Sequence, residues 1–126
     1  MGQLYQPTRV IVVDDNHDAA DMIAEFLEFS GCHAIPIYDG SSALHIAAAF
    51  TPDIVFCDIG MPRMDGYEVA VRMRSMNSLK NTRLVALTAW GDNVARNKVI
   101  SSGFDMHLIK PTTFDSILRE IHLVKK

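Results

Sequence analysis

In Arg9-Val10-Ile11-Val12-Val13-Asp14-Asp15-Asn16, a β-branched apolar run breaks off into two acids and a residue suited to start a helix. A short run that is apolar on both faces fits a strand buried in the middle of a parallel sheet. From Asn16 the period changes. Ala19, Met22, Ile23, Phe26 and Leu27 fall on one helical face, and Asp18, Asp21, Glu25 and Glu28 on the other. Asn16 caps the start of that helix, and Gly31 fits its stop.

The same cycle recurs four more times. His33 to Tyr38 reads as a shorter strand, and Pro36 places it at a sheet edge. Ser42 to Phe50 is an Ala-rich helix. Ile54-Val55-Phe56-Cys57 is a second apolar strand, followed by the loop Met61-Pro62-Arg63-Met64. Asp65 then caps a helix running to about Met76, with Glu68 placed for a capping box. Leu84-Val85-Ala86-Leu87 is a third apolar strand, ending at Thr88. Asp92 to Ser101 is a helix stopped by Gly103, and Met106 to Ile109 is the last strand. Thr112 to Val124 is the last helix, with Phe114, Ile117, Leu118 and Ile121 on its inner face.

Five strand–helix units in strict alternation predict an α/β fold, a doubly wound parallel sheet with right-handed crossovers. Ligands of such sheets bind beyond the carboxyl ends of the strands, at the switch point. Asp14, Asp15, Asp58, Thr88 and Lys110 all lie at carboxyl ends of predicted strands, so the topology gathers them on one rim. No internal repeat, linker or low-complexity segment divides the chain, and residues 1–126 read as one domain with its core at about 8–124.

Three carboxylates on one rim repel one another, and a divalent cation removes that cost. Magnesium prefers oxygen ligands and keeps several waters, so two carboxylates and a carbonyl are a reasonable protein share; no His or Cys joins the cluster to suit zinc. A carboxylate also acts as a nucleophile toward phosphorus, and phosphoryl transfer needs positioning and charge stabilisation above all. Asp58 stands alone at its strand end and suits the nucleophile, whereas Asp14 and Asp15 suit a metal-holding pair. The Lys110 ammonium and the Thr88 hydroxyl are placed to hold phosphoryl oxygens. Singly, each residue has a plain structural use, as a turn acid, a helix-dipole partner, a strand end or a loop hydroxyl. Those uses do not explain all five meeting at the strand ends of one sheet.

The bulk composition narrows the classes. A chain of 126 residues is long enough to bury a core without staples. Its net charge of −3, with no basic stripe, argues against direct nucleic-acid contact. Lys125-Lys126 reads as a solvated helix end. Cys32 and Cys57 sit among apolar residues without ligand spacing and predict buried, reduced thiols, as in a cytoplasmic protein. Met1 to Arg9 shows no signal peptide, and no apolar run is long enough for membrane insertion.

Together, Val12-Val13-Asp14-Asp15-Asn16, Asp58 to Gly66 (DIGMPRMDG), Ala86-Leu87-Thr88-Ala89, Gly103-Phe104 and Lys110-Pro111 resemble the receiver domain of two-component response regulators, from about Thr8 to Val124. The resemblance implies a flavodoxin-like doubly wound (βα)5 three-layer sandwich with strand order 2-1-3-4-5. It implies Asp58 as phosphoacceptor, and Mg2+ (or Mn2+) on Asp14, Asp15, Asp58 and the Gly60 backbone carbonyl. Thr88 and Lys110 would bind the phosphoryl group, and the bond before Pro111 would be cis. The implied partners are a histidine kinase or a histidine phosphotransfer protein, docking over the first helix and the loop after the last strand, with His17, Asp18, Asp21, Met22 and Pro111 as contacts. A monomer or weak homodimer is expected, with phosphoryl loss by water attack and no separate catalytic activity. The switch pair would be Thr88 with His107, where the family more often has Tyr or Phe. Gly60 and Trp90, each two residues beyond a site residue, are expected to tune rates.

Two rivals differ in class. A metal-dependent aspartyl-phosphate hydrolase needs a second acid near the nucleophile, and Gly60 occupies the expected place. A receiver-like docking module acting without phosphorylation would favour an incomplete acidic cluster. The family setting leaves a stand-alone receiver without an output domain, a relay shuttle or a piece of a hybrid histidine kinase.

Overall fold

β1 (Arg9–Val13) lies between β2 (His33–Ile37) and β3 (Ile54–Asp58) in the computed structural model, which describes residues 6–124. β4 (Arg83–Thr88) and β5 (Met106–Ile109) extend the sheet, so that all strands run parallel in the order β2-β1-β3-β4-β5. The chain reverses its direction of travel across the sheet between β1 and β3, which sets the switch point there. Helices α1 (His17–Phe29), α2 (Gly40–Phe50), α3 (Gly66–Arg74), α4 (Asn93–Ser102) and α5 (Phe114–Val124) connect the strands, with a 3₁₀ turn at Asn77–Leu79. This is the doubly wound sheet expected from the alternation, in the flavodoxin-like three-layer form and strand order that the resemblance implies.

Strand alternation divides the core in two. Val10, Val12, Ile54, Phe56, Val85 and Leu87 face α1 and α5, meeting Ile23, Leu27, Ile117 and Ile121. Ile11, Val13, Val55, Cys57, Leu84 and Ala86 face the other layer, meeting Ala43, Ala47, Val69, Met73 and Val99 of α2, α3 and α4. Burial of apolar side chains on both faces explains the unbroken hydrophobic runs at residues 10–13, 54–57 and 84–87 within β1, β3 and β4. Gly31 and Gly103 take φ of +97° and +111°, left-handed values that end α1 and α4 at little cost.

Several local expectations shift. α1 buries Ala20, Ile23, Ala24 and Leu27, whereas Met22 is 58% exposed. The two alanines let the helix lie close to the sheet, which turns its apolar stripe away from Met22. α2 starts two residues earlier than expected, because the Asp39 carboxylate accepts from Ser42 N–H at 2.7 Å and serves as the cap. Asp65 does cap α3, accepting from Glu68 N–H at 3.0 Å. The Glu68 carboxylate is instead taken by Arg72 one turn on, at 2.7 Å, so no capping box closes. α3 also ends at Arg74, where the 3₁₀ turn takes over before β4. α5 starts at Phe114, with Thr113 Oγ1 accepting from Ser116 N–H at 3.1 Å. Phe114 is not inside; its ring stacks on Phe26 at a centroid distance of 4.0 Å.

β2 forms one edge of the sheet, and its odd-numbered residues bond to β1, as His33 N–H to the Thr8 carbonyl shows. The backbone groups of Ala34 and Pro36 point away from β1, although the Ala34 side chain is buried. The Ala34 N–H donates to Glu28 Oε2 at 2.8 Å, and Pro36 has no N–H. Cys32 and Cys57 are buried thiols. Among the described residues, no helix is long and apolar enough to cross a membrane. The expectations for Lys125-Lys126 and for Met1 to Tyr5 fall outside the described residues.

Candidate functional site

Each acid reaches the rim because its strand stops there. The β1 ladder ends at Val13, yet Asp14 N–H still donates to the Ile37 carbonyl at 3.0 Å. Asp14 is therefore carried inward and is only 2% exposed, while Asp15, the next residue, is exposed. Asp58 is the last residue of β3 and is buried beside Leu87 of β4. Thr88 ends β4 and Lys110 follows β5, with Lys110 N–H donating to the Thr88 carbonyl at 2.8 Å. The Lys110–Pro111 peptide bond is cis.

Asp14, Asp15 and Asp58 each offer an oxygen, and these atoms lie within 4.8 Å of one another. Lys110 Nζ stands 2.8 Å from Asp58 Oδ1 and 3.4 Å from Asp14 Oδ2. Burial, and then the Asp58 charge, raise the Asp14 carboxyl above its usual value, against the lowering effects of the Asn16 N–H bond and Lys110. Burial alone would lower Lys110, but the hydrogen bond and charge of Asp58, with those of Asp14, outweigh it and raise it. The ammonium therefore stays charged and partly neutralises two acids. An all-oxygen set with surplus negative charge fits a hard divalent cation such as Mg2+. Burial, then the charges of Asp58 and Asp14, push the neighbouring Cys57 thiol up, so it stays protonated.

The other expected residues are placed around this cluster. Thr88 is 1% exposed, and its Oγ1 accepts from the Trp90 N–H at 3.0 Å, which leaves its own proton to donate. His107 pairs with Ala86 in the β4–β5 register and is half-buried. Because Ala86 and Thr88 share a face, His107 lies on the Thr88 side of the sheet. Trp90 is 57% exposed beside the rim. A Cβ at Gly60 would meet nothing within 4 Å, so glycine there leaves open space after the buried Asp58.

Gly66 was legible only as part of a motif, yet it has a physical reason. A Cβ at this first residue of α3 would lie 2.5 Å from the Asp58 carbonyl and 2.8 Å from Ile59 Cα. Only glycine lets α3 start against the strand end that carries Asp58. The signal was a glycine directly after a cap, where a better helix former would otherwise serve.

The strand order and an acid–lysine cluster at its switch point define the receiver class of α/β signalling domains. Residues 10–122 match the family described as response regulator receiver domain, and the chain belongs to that family. It is 33% identical over 112 residues to the response regulator MprA of Mycolicibacterium vanbaalenii, covering 89% of this chain but 48% of that protein. The chain thus spans about half the length of that relative. It is 31% identical over 121 residues to protein PilG of Pseudomonas aeruginosa, covering 96% of this chain and 90% of PilG. Among solved structures, the chemotaxis protein CheY4 of Vibrio cholerae superposes with a TM-score of 0.90 at 25% identity, covering 95% of this chain and 100% of CheY4.

Proposed function

We propose that this receiver accepts a phosphoryl group on Asp58 from a phosphohistidine of a histidine kinase or a histidine phosphotransfer protein. The observation that carries the reading is Lys110 Nζ within 3.4 Å of two buried carboxylates, in a cluster that keeps an exposed third acid. In the transfer, a carboxylate oxygen of Asp58 bonds to phosphorus as the phosphorus–nitrogen bond breaks, and the electron pair leaves with the imidazole. Lys110 moves from neutralising the free carboxylate to holding a phosphoryl oxygen. The Thr88 hydroxyl donates to a second. Asp14, Asp15, Asp58 and the Gly60 carbonyl would hold Mg2+, or Mn2+ in its place. A cation bound there supplies charge neutralisation for the incoming phosphoryl oxygens.

The output is a population shift. Donation by Thr88 to the phosphoryl group draws the β4 end inward, and His107 on the same face moves with it. Only contacts that favour the shifted state add to its population. Trp90 and Gly60 set how easily water reaches the acyl phosphate. The partner docks beside the rim, where exposed Met22 and Phe114 flank a shallow apolar groove with Ala19 and Thr112, near His17, Asp18 and Pro111. The protein works in the cytoplasm, as a monomer or weak homodimer.

Intact mass after incubation with Mg2+ and a small acyl-phosphate donor tests the reading. The expected result is a metal-dependent gain of one phosphoryl group, labile in base and absent from Asp58→Asn. An equal gain in Asp58→Asn overturns the assignment.

A further inference from the structure

Tyr38 directly follows β2 and reaches across to α1 twice. Its ring stacks on His17 at a centroid distance of 3.9 Å and an interplanar angle of 18°. Its hydroxyl donates to Asp21 Oδ1 at 2.5 Å. His17 and Asp21 lie one turn apart, at the first residue of α1 and four residues on. The preceding residue, Ile37, accepts the Asp14 N–H. Two consecutive residues at the end of β2 thus hold the chain on both sides of Asp15. Asp15 is exposed, so the conformation of this short turn, rather than packing, sets where its carboxylate points.

We propose that Tyr38 is a positioning residue for the metal ligands: its contacts with His17 and Asp21 latch the first turn of α1 to the end of β2 and hold Asp15 beside Asp14 and Asp58. This inference rests on the Mg2+ site of the proposed function. Mutual repulsion drives the three carboxylates apart, and Asp15 is the acid with the most freedom to move away. A latch on the far side of the turn resists that movement before any cation arrives. Groups that orient metal ligands in this way are worth about 10- to 100-fold in affinity. The Tyr38 hydroxyl is also raised above its usual pKa, chiefly because Asp21 accepts its proton, so the bond persists well above neutral pH.

The test is Mg2+ titration of the whole unphosphorylated chain by calorimetry, with thermal midpoints in chelator measured alongside. Tyr38→Ala binds Mg2+ about tenfold more weakly, at the low end of that range. Tyr38→Phe keeps the stack and retains most of the affinity. His17→Ala removes an exposed side chain, leaves the fold intact, and also weakens binding, so the test survives if Tyr38→Ala fails to fold. Natural affinity in folded Tyr38→Ala or in His17→Ala overturns the latch while leaving the site standing. A lower melting midpoint without any loss of affinity assigns Tyr38 to stability alone and overturns it too. Failure of the natural chain to bind Mg2+ refutes both the site and its latch.

Discussion

Lys110→Met retains most of the apolar stem and removes the ammonium 2.8 Å from Asp58 and 3.4 Å from Asp14. At an effective dielectric of about 20, unit charges at those separations attract by roughly 6 and 5 kcal/mol before costs. The Lys110 side chain is 36% exposed, so solvent screens much of that attraction, and desolvation of the partners offsets more. A net loss of about 2 kcal/mol remains, because the variant leaves two buried acids facing each other without a cation. For a domain of this size that lowers the melting midpoint by about 8 °C in chelator. Mg2+ at a hundred times its dissociation constant adds about 2.7 kcal/mol to any chain that binds it only when folded. It adds more to the variant, whose acids have lost their competing ammonium, so the deficit shrinks as Mg2+ rises. Melting curves of both chains with and without Mg2+ check this. A deficit of the same size in both conditions refutes the view that lysine and metal ion compensate the same charges.

Other outcomes follow from single contacts. Gly66→Ala puts a methyl group 2.5 Å from the Asp58 carbonyl, so it costs about 2 kcal/mol in melts and lowers phosphoryl uptake in the mass assay. Asp14 has a raised pKa, so the folded chain keeps its proton above pH 3.8, where the unfolded chain loses it. Metal-free stability therefore falls as pH rises from 3.8 through that raised value. Asp14→Asn removes this slope in pH-dependent melts, raises metal-free stability at pH 7, and abolishes Mg2+ binding in calorimetry. Arg63 is exposed and sits at φ +66° in the β3–α3 loop; Arg63→Gly stabilises by about 0.5 kcal/mol in denaturant titration. Trp90→Ala changes the dephosphorylation rate, and His107→Ala removes the phosphorylation-linked shift of β4–β5 resonances; unchanged values sink the respective roles.

The strands most legible in the sequence are those the sheet buries on both faces. β1, β3 and β4 leave a continuous β-branched or apolar record because neither face meets water. The acids at their ends are legible only as a group, since the turn, cap and dipole uses that would account for each one singly do not bring three of them to one rim. Helical faces are less legible. Met22 fits the 3.6-residue period but lies outside, because Ala20 and Ala24 set how close α1 approaches the sheet. Phe114 has a partner on the surface, Phe26, which no period reveals. The Tyr38 contacts join residues 21 and 17 positions apart, and the Arg83–Glu120 pair at 2.8 Å joins residues further apart still. Such pairings depend on which elements become neighbours, and local pattern carries no trace of them.

The outer side of β2 is poorly suited to pairing with a strand from another copy of this protein. A bare strand from a crowded or partly unfolded neighbour adds to a sheet by finding a row of unclaimed donors. Along β2 the Ala34 donor is already engaged by Glu28, and Pro36 contributes none. Growth of the sheet into a shared ribbon is thereby discouraged on that flank. An encounter on that flank is left chiefly with side chains to touch, and such contacts part more readily than a hydrogen-bonded ladder.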